Sequence, residues 1–210
     1  MSRRGRNPST ARARRSHAER SAETRERVTS AVVESIAAVG YQRTTAAEIA
    51  RRAGVTWGAV QHHFGDKDGI LMAVLEDSFD RFAARLGEST ADEEGLDERV
   101  ARFVEKAWEH FSSPHYRSTF EILLNLPDDV ELAWQNDMLE AWRRIWSRYF
   151  PESRPSARRT VELMHYTISV LSGLAATKLL EGRAARARSA ELGFLKDTLV
   201  RELGRREESS

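Results

Sequence analysis

Eight consecutive residues, Thr56-Trp57-Gly58-Ala59-Val60-Gln61-His62-His63, hold most of the chemistry this sequence offers. On a helix, Val60 turns inward while Thr56, Trp57, Gly58, Ala59, Gln61, His62 and His63 face out. Gln61 presents a donor and an acceptor together, the pair that matches an adenine edge in a major groove. Gly58 and Ala59 are slim enough to let a backbone approach closely, where a larger side chain would hold it off. Trp57 brings apolar area for a thymine methyl or a sugar, and an indole N–H for a phosphate. His62 is the better placed of the two histidines for DNA, whereas His63, next to Phe64, also reads as a packing residue. Neighbouring histidines on a helix diverge, and chelation wants them four apart, so no metal site is expected. No cofactor is expected either. The chain has no Ser/His/Asp grouping, Gly-rich phosphate loop or His-x-x-x-His spacing, so these residues argue for a binder and against an enzyme.

The elements that must position this face are legible around it. Thr45 can cap a helix, with Glu48 three positions on reaching back to its amide as a capping box. Ile49, Ala50 and Ala53 then share one helical face. Gly54 takes the left-handed position that ends this helix, and Val55 plugs the corner. Thr56 caps a second helix, in which Val60 and Phe64 point inward four residues apart. Two short helices hinged at a glycine form the layout of a helix-turn-helix DNA reader. Thr45 and the free amides behind it suit a phosphate oxygen as well as a cap.

From Arg25 to Leu75 the chain runs RERVTSAVVESIAAVGYQRTTAAEIARRAGVTWGAVQHHFGDKDGILMAVL. This resembles the N-terminal domain of the tetracycline-repressor (TetR) family of bacterial transcription regulators. The matching pieces are Val39-Gly40-Tyr41, Thr44-Thr45, Ile49-Ala50, Ala53-Gly54-Val55, Gly58, and His63-Phe64 followed by Lys67. The resemblance brings Thr44 and Lys67 among the candidate DNA contacts, Lys67 against the flanking backbone. One position departs from the pattern: the family usually has an aromatic residue, most often Tyr, where this chain has Gln61. That residue usually touches a phosphate, and Gln can still donate a hydrogen bond there. The resemblance implies an all-α chain, a homodimer that binds a double-stranded operator, and a C-terminal part that binds a small inducer. Repression as the sign of regulation comes from the resemblance alone.

Composition frames this reading. The net charge is +1, yet residues 1–20 hold seven Arg against the single acid Glu19, which leaves 26 bases and 31 acids in the rest. A basic tail ahead of an acidic body reads as a disordered arm for a polyanion. The longest apolar run, Ile70 to Leu75, is far too short to span a membrane, and the N-terminus lacks a signal-like stretch. With no Cys there are no disulfides or thiolate metal sites, and a reducing, cytoplasmic (nucleoid-associated) setting is expected.

Helical spacing recurs throughout, giving about nine helices. The first, from about Ala22 to Val39, sets Val28, Val32, Ile36 and Val39 on one stripe. The polar segment Gly87 to Gly95 is the natural boundary. The expected organisation is an arm at 1–20, a three-helix reader domain at 21–86, a helical ligand-binding and dimerisation domain at 87–204, and a tail at 205–210. In the second domain Trp108, Phe111, Tyr116, Phe120, Trp134, Met138, Trp142, His165 and Tyr166 are candidates to line a cavity, though aromatic stripes at this spacing are also ordinary core. Ser169, Ser172, Gly173, Ala175 and Ala176 permit close helix approach, and Leu192, Leu195, Leu199 and Leu203 add an apolar seam. Together they read as a dimer surface, which the resemblance makes a four-helix bundle, two helices from each chain. A two-fold pair sets its readers roughly 34–36 Å apart and implies a near-palindromic operator. The competing readings are a helical-bundle carrier or enzyme that uses the aromatic cavity, and a structural DNA-coating protein. The long acidic C-terminal part argues against coating.

Overall fold

The computed structural model describes residues 17–87, 95–125, 132–151, 156–181 and 187–204, and among these there is no strand. Helix α1 is His17–Val39, followed by a 3₁₀ turn at Tyr41–Arg43. Then come α2 (Ala46–Ala53), α3 (Trp57–Phe64), α4 (Lys67–Gly87), α5 (Leu96–Phe111), α6 (Pro114–Leu123), α7 (Leu132–Tyr149), α8 (Ala157–Glu181) and α9 (Ser189–Gly204). The described residues thus contain nine α-helices, as the periodicity predicts. The first begins earlier than expected, so residues 17–20, assigned to the basic arm, are helical. Glu19 lies in that first turn, where a negative charge complements the helix dipole. Residues 1–16 and 205–210 lie outside the described residues, as do most of the boundary loop (88–94) and Arg183 and Arg186.

Two cores divide the helices. The first gathers Val28, Val32 and Ile36 of α1, Ile49 and Ala53 of α2, Val60 of α3, and Ile70, Leu71, Val74 and Leu75 of α4. Val39, expected on the same stripe, is 38% exposed because α1 ends there, at the rim of that core. The second core surrounds α5, whose Val100, Phe103, Val104 and Ala107 are fully buried against Trp142, Trp146, Tyr149 and Phe150. Phe103 alone touches the rings of Trp142, Trp146, Tyr149 and Phe150 at centroid distances of 5.2–6.4 Å. Edge-on packing of this kind adds to the area term of burial.

Neither core belongs to one stretch of chain. Helix α4 gives Leu75 to the first core and, from Phe79 onward, Phe82 and Leu86 to the second. Helix α6, far along the sequence, returns Ile122 to the first core, fully buried. Pro114 fits the first turn of α6, where its missing N–H costs nothing, and Ser113 Oγ accepts from Tyr116 N at 3.1 Å to cap it. Arg188, read in sequence as part of a basic link, is buried between Glu181 (2.7 Å) and Glu191 (3.6 Å), so it braces α8 to α9.

Candidate nucleic-acid interface and the cavity behind it

The helix-turn-helix is built largely as its sequence dictates. Thr45 Oγ1 accepts from Glu48 N at 3.3 Å and Thr56 Oγ1 from Ala59 N at 3.2 Å, so both threonines cap. Gly54 lies in the left-handed region, with φ 63° and ψ 38°, and Val55 packs against the first core. The capping box is only half present. The Glu48 carboxylate turns to Arg51 (2.7 Å) and Arg52 instead of the Thr45 amide, because two guanidinium groups offer stronger charge-assisted bonds than one amide. Those hydrogen bonds hold its pKa down to about 2.

Two arginines of α1, which the sequence reading missed, fix the reader from behind. Arg27 Nη2 donates to the carbonyls of Ala53 and Gly54 at the end of α2. Arg25 Nη1 donates to His63 O at 3.2 Å, and its guanidinium lies 4.9 Å from the Phe64 ring centre. Cations at helix C-termini satisfy open carbonyls and complement the dipole. Two apart on a helix, they do not share a face, so no spacing in the sequence marked them as a pair.

The predicted DNA-facing residues separate into two groups. Thr45, Thr56, Gly58, Gln61 and His62 are exposed on one side, with Ala59 half-buried beside them. A Cβ added at Gly58 would meet nothing nearer than Thr56 Oγ1 at 4.0 Å, so nothing among the described residues requires glycine there. Thr44 does not belong to this face. It is 2% exposed, and its hydroxyl is spent on Ser35 Oγ (3.1 Å) and Gly40 O (3.0 Å). His63 also turns away, toward α1, with Nδ1 3.5 Å from Ser21 Oγ. Trp57 is half-buried against the first core, so much of its ring covers the helix end. Lys67 rests its ammonium 4.8 Å from the Tyr41 ring centre at the start of α4.

Behind the reader lies a cavity of about 140 Å³ between α4, α5, α6, α7 and α8. Of the predicted lining residues, Phe111, Tyr116, Met138 and Trp142 do line it. Trp108 stands outside, with the Lys178 ammonium 5.9 Å from its ring centre, and Phe120 packs against Tyr116 without reaching the space. His165 and Tyr166 are exposed, because α8 buries Leu163, Met164, Thr167 and Leu171 and so turns them outward. The side chain of Trp134 lies outside the described residues. Sequence reasoning missed Ser78, Phe79 and Phe82 of α4, His110 of α5 and Thr119 of α6. A serine and a histidine inside apolar stripes were the available signal.

Burial pushes the His110 imidazole down to about 4, with smaller contributions from His115 and Arg85, so it is neutral near pH 7. Burial raises the Tyr116 phenol, and its hydrogen bond to Ser172 Oγ (3.0 Å) partly offsets this. The expectation that no Glu-x-x-His metal spacing occurs is wrong for Glu162 and His165, which stand three apart, but Glu162 is paired with Arg158 (3.1 Å) and Arg159 (3.0 Å). No group of three or more His, Asp or Glu placed to hold a metal ion occurs among the described residues.

The dimer candidates divide in the same way. Ser169 and Gly173 are exposed on α8, and Ala176 is half-buried. Leu195 and Leu199 are buried in the chain's own second core, and Leu192 packs against it, so these leucines are not a free seam. The apolar groups that α8 and α9 leave most exposed include Tyr166 (43%), Leu180 (88%) and Phe194 (73%).

An N-terminal helix-turn-helix joined by a shared helix to a hollow helical body gives the chain a two-part, all-α build. Residues 28–74 match the model of the family described as bacterial regulatory proteins, tetR family. The HTH-type transcriptional regulator BetI of Escherichia coli is 45% identical over 53 residues, which are 25% of this chain and 27% of BetI. The match therefore spans about a quarter of the length of the curated relatives. The fatty acid degradation regulator FadR from Bacillus halodurans superposes with a TM-score of 0.67 at 15% identity, over 84% of this chain and 94% of that one. The transcriptional regulator FadR from Bacillus subtilis, solved in complex with stearoyl-CoA, gives 0.64 at 18% identity, over 85% and 96%. Residues 28–74 are thus similar to the N-terminal domain of the TetR family, and the chain shares the all-helical fold of these solved structures.

Proposed function

We propose that this chain is a DNA-binding transcription regulator, a repressor that holds a near-palindromic operator as a homodimer and lets go when a small molecule fills the cavity. The observation that carries the reading is the bare leading end of α3, where Gly58 stands exposed with open space around it. The groups beside it suit their tasks: Gln61 and His62 for base edges, Thr45 and Thr56 for phosphate oxygens.

Release is supported by how the cavity joins the reader. Helix α4 lines the cavity with Ser78, Phe79 and Phe82 and begins in the reader core with Ile70 and Leu71. Helix α6 lines it with Tyr116 and Thr119 and grips the reader with its other face. There Ser118 Oγ donates to Val33 O (3.1 Å) and Tyr41 N donates to Glu121 Oε2 (3.3 Å), and just past the end of α6 Gln42 Nε2 donates to Asn125 Oδ1 (2.9 Å). A ligand that shifts either helix interacts differently with two reader positions, which is what coupling requires. The exposed Tyr166, Leu180 and Phe194 favour a second copy over α8 and α9.

Footprinting the chain on the DNA upstream of its own gene tests this. A protected, near-palindromic site of two half-sites about one helical turn apart is expected. Sequence-blind, salt-dependent binding refutes regulation, and a strictly monomeric particle in solution refutes the paired arrangement.

A further inference from the structure

The cavity carries information about what enters it, resting on the regulator reading above. Its walls are aromatic and aliphatic, and among the described residues no Lys, Arg, Asp or Glu lines it. Five polar side chains interrupt these walls: Ser78, His110, Tyr116, Thr119 and Ser172. Ser78 is 2% exposed and His110 is 6% exposed, and both border the space. Neither side chain makes a hydrogen bond among the described residues; His110 is surrounded by the rings of Phe82 (5.0 Å), Phe111 (5.7 Å) and Tyr116 (5.5 Å). Polar groups inside folded proteins are nearly always hydrogen-bonded, and because Ser78 and His110 border the space, what fills it supplies their partner. A neutral imidazole has one N–H to give and one lone pair to accept with, and a serine hydroxyl has both. The Tyr116 and Thr119 oxygens are already engaged, by Ser172 (3.0 Å) and His115 O (3.2 Å).

We propose that the cavity binds a small, uncharged aromatic molecule carrying a hydroxyl or N–H group, held by ring packing against Phe82, Phe111 and Trp142 and by hydrogen bonds to Ser78 and His110. Size sets one bound. A dry apolar cavity of about 150 Å³ accommodates benzene, so about 140 Å³ suits a single ring, and a long acyl chain would outrun it. Charge sets the other bound. A carboxylate entering here would find no cation in the described walls, and an unpaired buried ion is costly. The neutral His110 cannot serve as that cation near pH 7.

The test is calorimetric titration of the full chain with 4-methylphenol, toluene, 4-methylbenzoate and stearoyl-CoA, alongside operator binding. The expected result is 4-methylphenol at least ten-fold tighter than toluene, with no measurable 4-methylbenzoate. Ser78→Ala and His110→Phe should each shrink the phenol-over-toluene ratio severalfold while leaving toluene binding in place. Retained toluene binding also shows that the variants are folded. Preference for 4-methylbenzoate or stearoyl-CoA overturns the ligand class, as does failure of all four probes to bind. If the footprint persists in either case, the regulator reading stands. If 4-methylphenol binds as expected but no specific DNA site exists, the ligand class holds and the regulator reading falls.

Discussion

Replacing Gly58 separates what the protein needs from what DNA needs. In the structure an added Cβ meets nothing nearer than 4.0 Å, and Gly58 is exposed. Glycine inside a helix costs up to about 1 kcal/mol relative to good helix formers. Gly58→Leu should therefore stabilise the chain by about 0.5–1 kcal/mol, which for a domain of this size raises Tm by roughly 1–4 °C. On DNA the effect should reverse. A leucine at the leading end of α3 holds the backbone away from the groove, and a well-paired base edge left unread costs about 1–3 kcal/mol. A dimer suffers this at both half-sites, so affinity weakens by about 2–6 kcal/mol, roughly thirty-fold to beyond ten-thousand-fold. Thermal melting and fluorescence anisotropy on the footprinted operator, at one fixed salt concentration, measure both. A variant that melts higher and binds the operator like the parent refutes the docking; so does one whose binding falls only because it unfolds. Gly58→Ala should fall between parent and leucine variant in affinity.

Three further outcomes are expected. Gln61→Ala should cost on the order of 1–3 kcal/mol and relax the preference at one base per half-site in a selection experiment, whereas an unchanged preferred sequence removes Gln61 from the readers. Ile122→Ala should lower stability by about 2–5 kcal/mol and weaken coupling between cavity and reader, seen as operator binding that an inducing ligand no longer relieves. The third concerns acid. His110 titrates at about 4 in the folded chain against 6.5 as its ordinary value. Below pH 6.5 the unfolded chain therefore takes up a proton that the folded chain refuses. Stability is untouched above that pH and declines as pH falls toward 4, by about 3 kcal/mol in total. Half-buried His115, lowered chiefly by desolvation as well, acts in the same direction. Urea midpoints at pH 7, 6 and 5 should fall steeply for the parent and less for His110→Phe; parallel slopes would remove His110 from this account.

What the sequence disclosed followed from range. The reader was legible because its determinants are local: two threonine caps, one left-handed glycine and an inward Val60 lie within twenty residues of one another. Even there, local signals could not tell that Thr44 would be claimed by Ser35, nor that Glu48 would prefer two arginines to an amide. The cavity was legible only in part, because its walls run from Leu75 to Ser172 and meet through tertiary packing. A helical stripe of aromatic residues names a face without naming its neighbour, so Trp142 and Trp108 looked alike in sequence. Leu195 and Leu199 carry the same ambiguity: an apolar seam fits its own chain as readily as another.

The two cores share material, and this bears on anyone wishing to transplant the reader. Severing the chain after Gly87 would strand one flank of α4 in water and leave an empty socket where Ile122 had been seated. A graft that keeps its partner's α6, or carries this one along, respects the seam; a cut at the polar loop does not. In such a molecule the head is keyed to its own body, and swapping heads between relatives means swapping the key as well.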